Sequence, residues 1–514
     1  MIRDLLLGQP DSSTIADVCV VGAGAAGIVF AVELARFGKN VILLEAGGES
    51  VEEDSQKLNA SEVCGHTHRG IEIGRVRALG GTTLKWGGQI HELAELDFET
   101  RDWVPGSGWP ISKTSLHRHY AHALELEGLM RVEQQDDQVW SRLGEQSPQL
   151  NPLETYLTRW CPQPNFALLH RDILKNSPAI DVWLHANVID MLVEDGTVRG
   201  LRCSTLSGQQ NIFRAAAYVF CLGAIESNRF FLQPRFSAMP WHRSGMLGKH
   251  FQDHIDCNAA VVYPTDRRRF HSIFDNIFLS GLKYQPKLRL SPESQLRLQT
   301  MNVGASMSFR DEEYWELVRL RKTAKRLMKG DLRNVTGTDL AHAAHHIPFM
   351  TRQAVRYSVQ HRAYNAPETQ VHLRVHCEQE PESLSSITLS DKTDELGMLR
   401  ARLDWKVSPK EVESIQKVVE VVQRSLTGIA KVEPDYDLIH DPAAFAVACD
   451  DCGHHMGGMR MSTSASTGIV DFNLRLHGME NAFVCSSAVF PTSGYSNPTH
   501  TLLALAVRLA EHLS

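Results

Sequence analysis

Between Asp17 and Gly48 a strand, three spaced glycines, a helix, a second strand and a carboxylate follow one another without a gap, and this order constrains the chain more than any other feature. Val18 to Val21 is a short apolar run of β-formers. Gly22-x-Gly24-x-x-Gly27 follows at once, the pattern of a tight turn, close backbone approach to a pyrophosphate, and close packing of helix on strand. Ala25 and Ala26 open a segment with apolar residues at helical spacing, which runs to Phe37 and stops at Gly38. Val41 to Leu44 reads as a second buried strand and ends on Glu45, placed to accept hydrogen bonds from a ribose. That acid suits NAD or FAD and would repel the 2′-phosphate of NADP. A glycine-rich turn without a ligand leaves the strand, helix, second strand and acid unexplained.

A chain of 514 residues exceeds what one hydrophobic core holds, so two lobes are expected. With 53 basic against 60 acidic residues the formal net charge is -7, which gives a nucleic-acid partner no electrostatic support. The apolar run Leu5 to Leu7 is too short for a signal peptide and no run of eighteen apolar residues occurs, so the expected location is cytoplasmic, with no membrane partner. Several of the cysteines sit inside strand-like runs (Cys19, Cys221, Cys485) and read as small buried hydrophobes in a reducing compartment.

Further along, Arg75 to Gln89 packs four glycines and two threonines into a span that no regular element needs. Glycine pairs let backbone approach a planar ligand and threonine hydroxyls hydrogen-bond its edge; a tight loop is the alternative. Lys113 to Met130 has helical periodicity, followed by polar loop to Gln149. Asp181 to Leu192 and Val198 to Cys203 look like strands, and Tyr218 to Cys221 is a buried strand running into a second strand-to-helix crossover at Leu222 to Ser227. From Asp256 to Arg310 the alternation is that of an antiparallel sheet, placing a domain boundary near Ile255. Asp311 to Arg362 reads as helical and basic, either a solvated face or a surface for a membrane, a partner chain or an anionic substrate. Its histidines, His342, His345 and His346, lack a grouped carboxylate or cysteine, so no metal is expected there. Ser385 to Ser390 and Leu399 to Trp405 alternate as strands, and Pro409 to Leu426 is a helix.

The closing segment contains His454-x-x-Gly457, Arg460-Met461, Gly468-Ile-Val-Asp471, Leu476-His-Gly478, Asn481-Ala-Phe-Val484, Val489-Phe-Pro491 and Asn497-Pro498-Thr499. In order and spacing these resemble the C-terminal signature of the glucose-methanol-choline (GMC) oxidoreductases, FAD enzymes that oxidise alcohols. The Gly22 to Gly27 unit, the Leu79 to Thr83 loop, the Gly223 to Ser227 turn and Leu247 to His254 resemble family landmarks too. Within the family, Arg460-Met461 and Thr492 to Pro498 are closest to the pyranose-oxidase-like, sugar-oxidising branch. The resemblance implies an α/β fold: a Rossmann-like FAD-binding domain from residues 14–110, 165–255 and 446–514, and a second α+β substrate domain on an antiparallel sheet from 111–164 and 256–445. It implies His454 as base and Asn497 as its partner. Cofactor contacts are expected from Gly22, Gly24, Ala25, Ala26, Gly27, Glu45, Gly80, Gly81, Thr82, Thr83, Val188, Gly223, Ser486, Pro498 and Thr499. Two departures bear on this. Lys85 stands where many members carry a flavin-linking histidine, so FAD is expected to bind non-covalently, and Ser486 stands where the family usually has Asp.

The expected reaction is oxidation of a CH-OH group of a sugar, glycoside or polyol, with oxygen or another acceptor taking the electrons. Rival readings are a monooxygenase, a disulfide reductase using Cys449-x-x-Cys452, and a non-catalytic flavoprotein acting through its basic helices. Cys449, Cys452, His454 and His455 also make a four-ligand set on paper, but adjacent histidines rarely reach one metal together, and no metal is expected. His455 and His500 read as packing or surface residues.

Overall fold

The structure, a computed structural model, describes residues 1–10, 15–129, 135–310, 336, 338, 346–382 and 384–514. Most of the basic stretch 311–362, with His342 and His345, lies outside these residues. Among those described, three sheets carry the fold. The first takes its strands in the order Ile2–Asp4, Ile180–Leu184, Val41–Leu44, Ile15–Val21, Gln210–Phe220, Thr197–Ser204 and Asn187–Glu194. The first five are parallel, and Ala482–Val484 adds a further parallel strand beside Gln210–Phe220. Its central segments, residues 18–21 and Val41–Leu44, are buried throughout: Ala25–Arg36 packs on these strands and buries a continuous run from Ala26 to Leu34, and the C-terminal helix Pro498–Leu513 packs in turn on that helix and on Lys113–Leu126.

The second sheet is antiparallel, in the order Ala430–Pro434, Ile255–Pro264, Gln370–Cys377, Val303–Arg310, Leu282–Leu290, Leu153–Trp160 and Gln89–Ile90. Period-two alternation divides its faces. Val371, Leu373, Val375 and Cys377 join a second core closed by Val412, Ile415, Val418 and Val422 of the helix Pro409–Ser425, while His372, Arg374 and His376 stand on the opposite face. A third sheet joins Met456–Gly458, Lys249–Gln252, Ser386–Thr393, Leu399–Trp405 and Glu62–Gly65, drawing strands from both of the expected sequence ranges. This is a mixed α/β fold with a Rossmann-like parallel sheet and a separate antiparallel one.

Two local expectations change. The stretch to Gln149 is not all loop, since Asp136–Arg142 is a helix. Its two apolar residues Val139 and Trp140 are buried, and Asp136 pairs with Arg159 across 3.0 Å, contacts that no local window shows. The strand expected over 181–192 is two strands broken at His185, whose φ is +54° and whose ring bonds Asp4 and Glu52. The break moves the chain from the parallel sheet into the antiparallel ribbon.

Candidate active site

A cavity of about 930 Å³ runs from the glycine turn to the C-terminal helix. At one end, Gly22, Gly24, Ala25 and Ala26 meet Gly81, Thr82 and Thr83. The two loops come so close that a Cβ on Gly81 would lie 2.8 Å from the Cα of Gly24, which is why glycine stands at 81. Gly24 has an open side: a Cβ there meets nothing within 4 Å. The helix Ala25–Arg36 starts at Gly24 without a side-chain cap, so its first N–H groups face the cavity, as pyrophosphate binding requires. Gly27 and Gly80 do not line the cavity. Gly27 acts instead in packing, since a Cβ would sit 1.9 Å from the carbonyl oxygen of Gly22; Gly80, at φ +102°, sets the turn of its loop.

Glu45 is buried at the cavity edge, its two oxygens accepting from the N–H groups of Ala23 (3.1 Å) and Gly47 (3.0 Å). Burial pushes its carboxyl up to about 7 against those bonds and the Arg77 guanidinium. Each oxygen keeps a lone pair for a ribose hydroxyl. Val188 and Gly223 also line this end. So does an ion network that no motif announced: Glu226 faces Arg77 (2.9 Å), Arg229 (2.7 Å) and Arg75 (3.6 Å), and Arg229 also pairs with Asp394. Burial alone would raise Glu226, yet the three guanidinium groups hold it down at about 2. The walls therefore fit a dinucleotide: two glycine loops, an open helix N-terminus and a ribose-accepting acid in one continuous space.

A cluster of buried histidines stands at the other end. Asn497 is the N-cap residue of Pro498–Leu513, yet its side chain makes no capping bond. It turns instead to His454, Nδ2 to Nε2 at 3.0 Å. The other ring nitrogen of His454 is 2.9 Å from Nδ1 of His254. Asp253, fully buried, lies under both histidines: its Oδ1 accepts from the backbone N–H groups of His254 (2.6 Å) and His454 (2.9 Å), and its Oδ2 contacts Nε2 of His68 at 3.0 Å. Burial, reinforced by His254, lowers His454 to about 3, so its imidazole is neutral at physiological pH. This is well below the near-neutral value expected of a base. The Asn497 amide donates to Nε2 of His454, which leaves the ring proton of His454 on Nδ1. A neutral His254 then offers Nδ1 as an acceptor, His454 donates from Nδ1, and the lone pair of His454 stands on Nε2 beside Asn497.

Ser486, Pro498 and Thr499 line the cavity between the two ends. The Ser486 hydroxyl accepts from the N–H of Ala488 at 3.2 Å, capping the short turn Ser487–Val489. Lys85 also reaches the wall, with Nζ 3.4 Å from the carbonyl of Ile73. His68, Asp253 and His455 form the one cluster among the described residues with metal-ligand spacing. Its bonding argues against a cation: Nδ1 of His68 accepts from the N–H of Ile71 (3.1 Å), which puts the ring proton on Nε2, toward Asp253. His455 is buried against His68, and His500 is buried beside Glu127 at 2.8 Å. Cys449 and Cys452 are both free thiols; Cys449 faces the carbonyl of Ala446, and Cys452 lies 3.4 Å from Nδ1 of His376. No described helix is long and apolar enough to cross a membrane.

Residues 381–506 match the family model of GMC oxidoreductase. The chain is 39% identical over 59 residues to "Dehydrogenase str4" of Strobilurus tenacellus, 12% of this chain and 10% of that protein. It is 29% identical over 130 residues to paromamine 6'-oxidase of Streptomyces fradiae, 24% of this chain and 22% of that one. The matches thus span between a tenth and about a fifth of these curated relatives. Across its length the fold follows the crystal structure of pyridoxine 4-oxidase from Mesorbium loti, with a TM-score of 0.55, 15% identity, and 96% and 98% of the two chains covered.

Proposed function

We propose that this chain, which belongs to the GMC oxidoreductases, oxidises a CH-OH group of a sugar, glycoside or polyol to a ketone or aldehyde, with non-covalently held FAD, in the cytoplasm. FAD, when bound, supplies the acceptor for the hydride, and oxygen or another acceptor re-oxidises it. Gly22, Gly24, Ala25 and Ala26 would hold its pyrophosphate, Glu45 its adenosine ribose, and Gly81 to Thr83, Ser486 and Thr499 its remaining length.

The observation that carries the reading is the His454–Asn497 pair at 3.0 Å on the cavity wall. Loss of a hydride from carbon requires loss of the hydroxyl proton. His454 takes it at Nε2, the nitrogen left unprotonated by the bond to His254, and Asn497 orients the substrate oxygen with its amide N–H. Asp253 does not touch the reacting atoms; by holding the backbone of His254 and His454 it fixes the spacing of the pair and stabilises the imidazolium that forms. The uncapped start of Pro498–Leu513 adds positive potential at the same wall. A sugar-like substrate draws support from the likeness to paromamine 6'-oxidase.

His454→Ala tests the base. Removing a general base slows reactions by about 10² to 10⁴, so anaerobic flavin reduction by a good sugar or polyol should slow at least a hundredfold while the flavin spectrum is retained. Parent-like reduction by this variant removes His454 from the mechanism; if His455→Ala is then the slow one, the wrong histidine of the pair has been assigned.

A further inference from the structure

A thiol on the cavity wall plays no part in the alcohol oxidation. Cys452, half-buried and free, lines the cavity together with His454 and Asn497. Gly453 separates the thiol from the base; it stands at φ +64° with open space where a Cβ would lie, and the turn it makes lets the residues on both sides reach one wall. The sulfur of Cys452 is 3.4 Å from Nδ1 of His376. The other ring nitrogen of His376, Nε2, is 3.6 Å from Oδ1 of Asp256, which also lines the cavity.

Strand register fixes this arrangement. Asp256 pairs with His376 on one side and with Asp450 on the other, so Cys452, which follows Asp450 and Asp451, arrives beside the same pair of strands. Arg374 holds both oxygens of Asp256 and keeps that carboxylate in place against the ring. A thiol, an imidazole within its reach and a carboxylate behind the imidazole make an activated nucleophile. Asp256 draws the ring proton of His376 to Nε2, so Nδ1 presents its lone pair to the sulfur. Burial and the charges of Asp256 and Asp253 hold the thiol well above its ordinary range, and burial with Lys287 and Arg374 holds His376 well below its own. The pair therefore rests as neutral thiol and neutral imidazole, and its proton moves only when the sulfur meets an electrophile. Oxidation of a primary alcohol at His454 supplies one, an aldehyde formed against the same wall.

Resting on the reading of His454 as the base of alcohol oxidation, we propose that the chain carries a primary alcohol of its sugar or polyol on to the carboxylic acid, with Cys452 as nucleophile for the second oxidation. The sulfur adds to the aldehyde carbon, and the thiol proton passes through Nδ1 of His376 to the carbonyl oxygen, giving a thiohemiacetal. Its carbon again bears a hydrogen and a hydroxyl. That carbon loses a hydride to the acceptor of the first oxidation, the hydroxyl loses its proton to Nε2 of His454, and a thioester remains on Cys452. Water then attacks the thioester with His376 as base; the carbon–sulfur bond breaks, the acid leaves and the thiol recovers its proton. In sum, aldehyde and water become carboxylic acid while a hydride and a proton leave.

The test takes glycerol as the alcohol, D-glyceraldehyde as the aldehyde and glycerate as the acid. FAD-loaded protein held reduced under nitrogen lets the aldehyde add to sulfur but not be oxidised. In that state, iodoacetamide labelling of Cys452, read by peptide mass spectrometry, should slow about tenfold at D-glyceraldehyde about ten times its half-protecting concentration, while the exposed Cys64 labels as before. Labelling of Cys452 that D-glyceraldehyde does not slow overturns the proposal. With oxidised flavin and an electron acceptor, the parent should form glycerate from glycerol and from D-glyceraldehyde. Cys452→Ser, whose hydroxyl is a far weaker nucleophile, and His376→Phe should stop at D-glyceraldehyde. Glycerate formed by Cys452→Ser in the parent's ratio to aldehyde overturns the proposal; should that variant lose its flavin or fold, the same ratio from His376→Phe, or unprotected Cys452 in the parent, overturns it instead. The two readings fail separately. A parent whose flavin is bleached by glycerol but which forms no glycerate loses only the second oxidation, and one bleached by neither polyols nor D-glyceraldehyde loses the first as well.

Discussion

The parallel and antiparallel sheets face the same cavity, but their chemistry is written in opposite ways. In the parallel sheet the glycines, helix start and acid lie within thirty residues of one another, and a single window of sequence states what they are for. On the antiparallel sheet Arg374, Ser306 and Lys287 are neighbours only through strand register, and nothing near any of them in sequence says so. A wall made of backbone N–H groups needs local chain geometry, which glycines announce. A wall made of side chains on a sheet needs only that strands arrive in register.

The strongest way to break that contrast is at Gly24. Its φ of -81° suits any residue and its Cβ direction is open, so Gly24→Val should fold normally yet fill the space a pyrophosphate needs. The expected outcome is protein with parent-like melting in the cofactor-free state and essentially no flavin, read from the visible spectrum. Gly27→Val is the control. Its side chain would strike the carbonyl of Gly22, so it should lose the fold as well as the flavin. Normal flavin content in Gly24→Val would mean the cofactor lies elsewhere in the cavity.

Next in size is a buried pair that fixes the loop after Phe98 to the end of the antiparallel strand Gln370–Cys377. Arg101 donates to Glu378 through two nitrogens, both side chains fully buried, and Glu378 also accepts from the N–H of Asn302 at 2.9 Å. Arg101→Leu leaves a carboxylate unanswered in the core and should cost about 3–5 kcal/mol, measured by urea unfolding. A loss below about 1 kcal/mol would mean that this joint contributes little to holding the antiparallel sheet in place.

How much was legible follows the same line. The strand-turn-helix-strand unit, the helix Pro409–Ser425 and the strand Leu399–Trp405 were readable because periodicity and caps act within one window. His454 and Asn497 were readable only through a family signature, since 43 positions separate them and each has a local reading; in the structure the Asn497 amide stands against His454 and makes no capping bond to the helix it starts. The helix Asp136–Arg142, the break at His185, the carboxylate of Asp253 under two histidines and the network around Glu226 were not readable, because long-range partners alone define them.

Acid should separate the regions by a smaller margin. His454 and His455 are both lowered to about 3 by burial, and Asp253 is lowered by His68 and its neighbours against its own burial. Above about pH 6.5 the histidines are neutral folded or unfolded, and their contribution to stability is complete. Below it the unfolded chain takes up protons that the folded chain refuses at these rings, so their contribution falls as pH drops from about 6.5 toward 3, by at most about 1.4 kcal/mol per pH unit for each proton. Asp253 adds to the loss below about pH 4, where its unfolded carboxyl protonates. Glu45 and Glu411, raised by burial to about 7 and about 8, act in the opposite sense, so the rings are isolated by difference: between about pH 6.5 and 4, His455→Phe should lose less stability, or gain more, than the parent. An identical pH response in parent and His455→Phe would contradict the neutral state assigned to this ring.

Ser486 carries the smallest effect and the finest distinction. Its hydroxyl accepts from the N–H of Ala488, a capping bond whose loss costs about 1 kcal/mol, and it also lines the cavity. Ser486→Ala removes both roles. If the hydroxyl only caps the turn, the variant loses about 1 kcal/mol of stability in the cofactor-free and FAD-loaded states alike. If it also donates to FAD, the loaded state loses more, because a neutral hydrogen bond of about 1 kcal/mol disappears from the complex alone. The expected result is the second: FAD affinity roughly fivefold weaker on top of the shared loss of stability, measured by flavin release on dilution. Ser486→Gly with unchanged FAD affinity would leave the hydroxyl a cap and nothing more, and would move the contact to the N–H groups at the start of Pro498–Leu513, where no side chain competes for them.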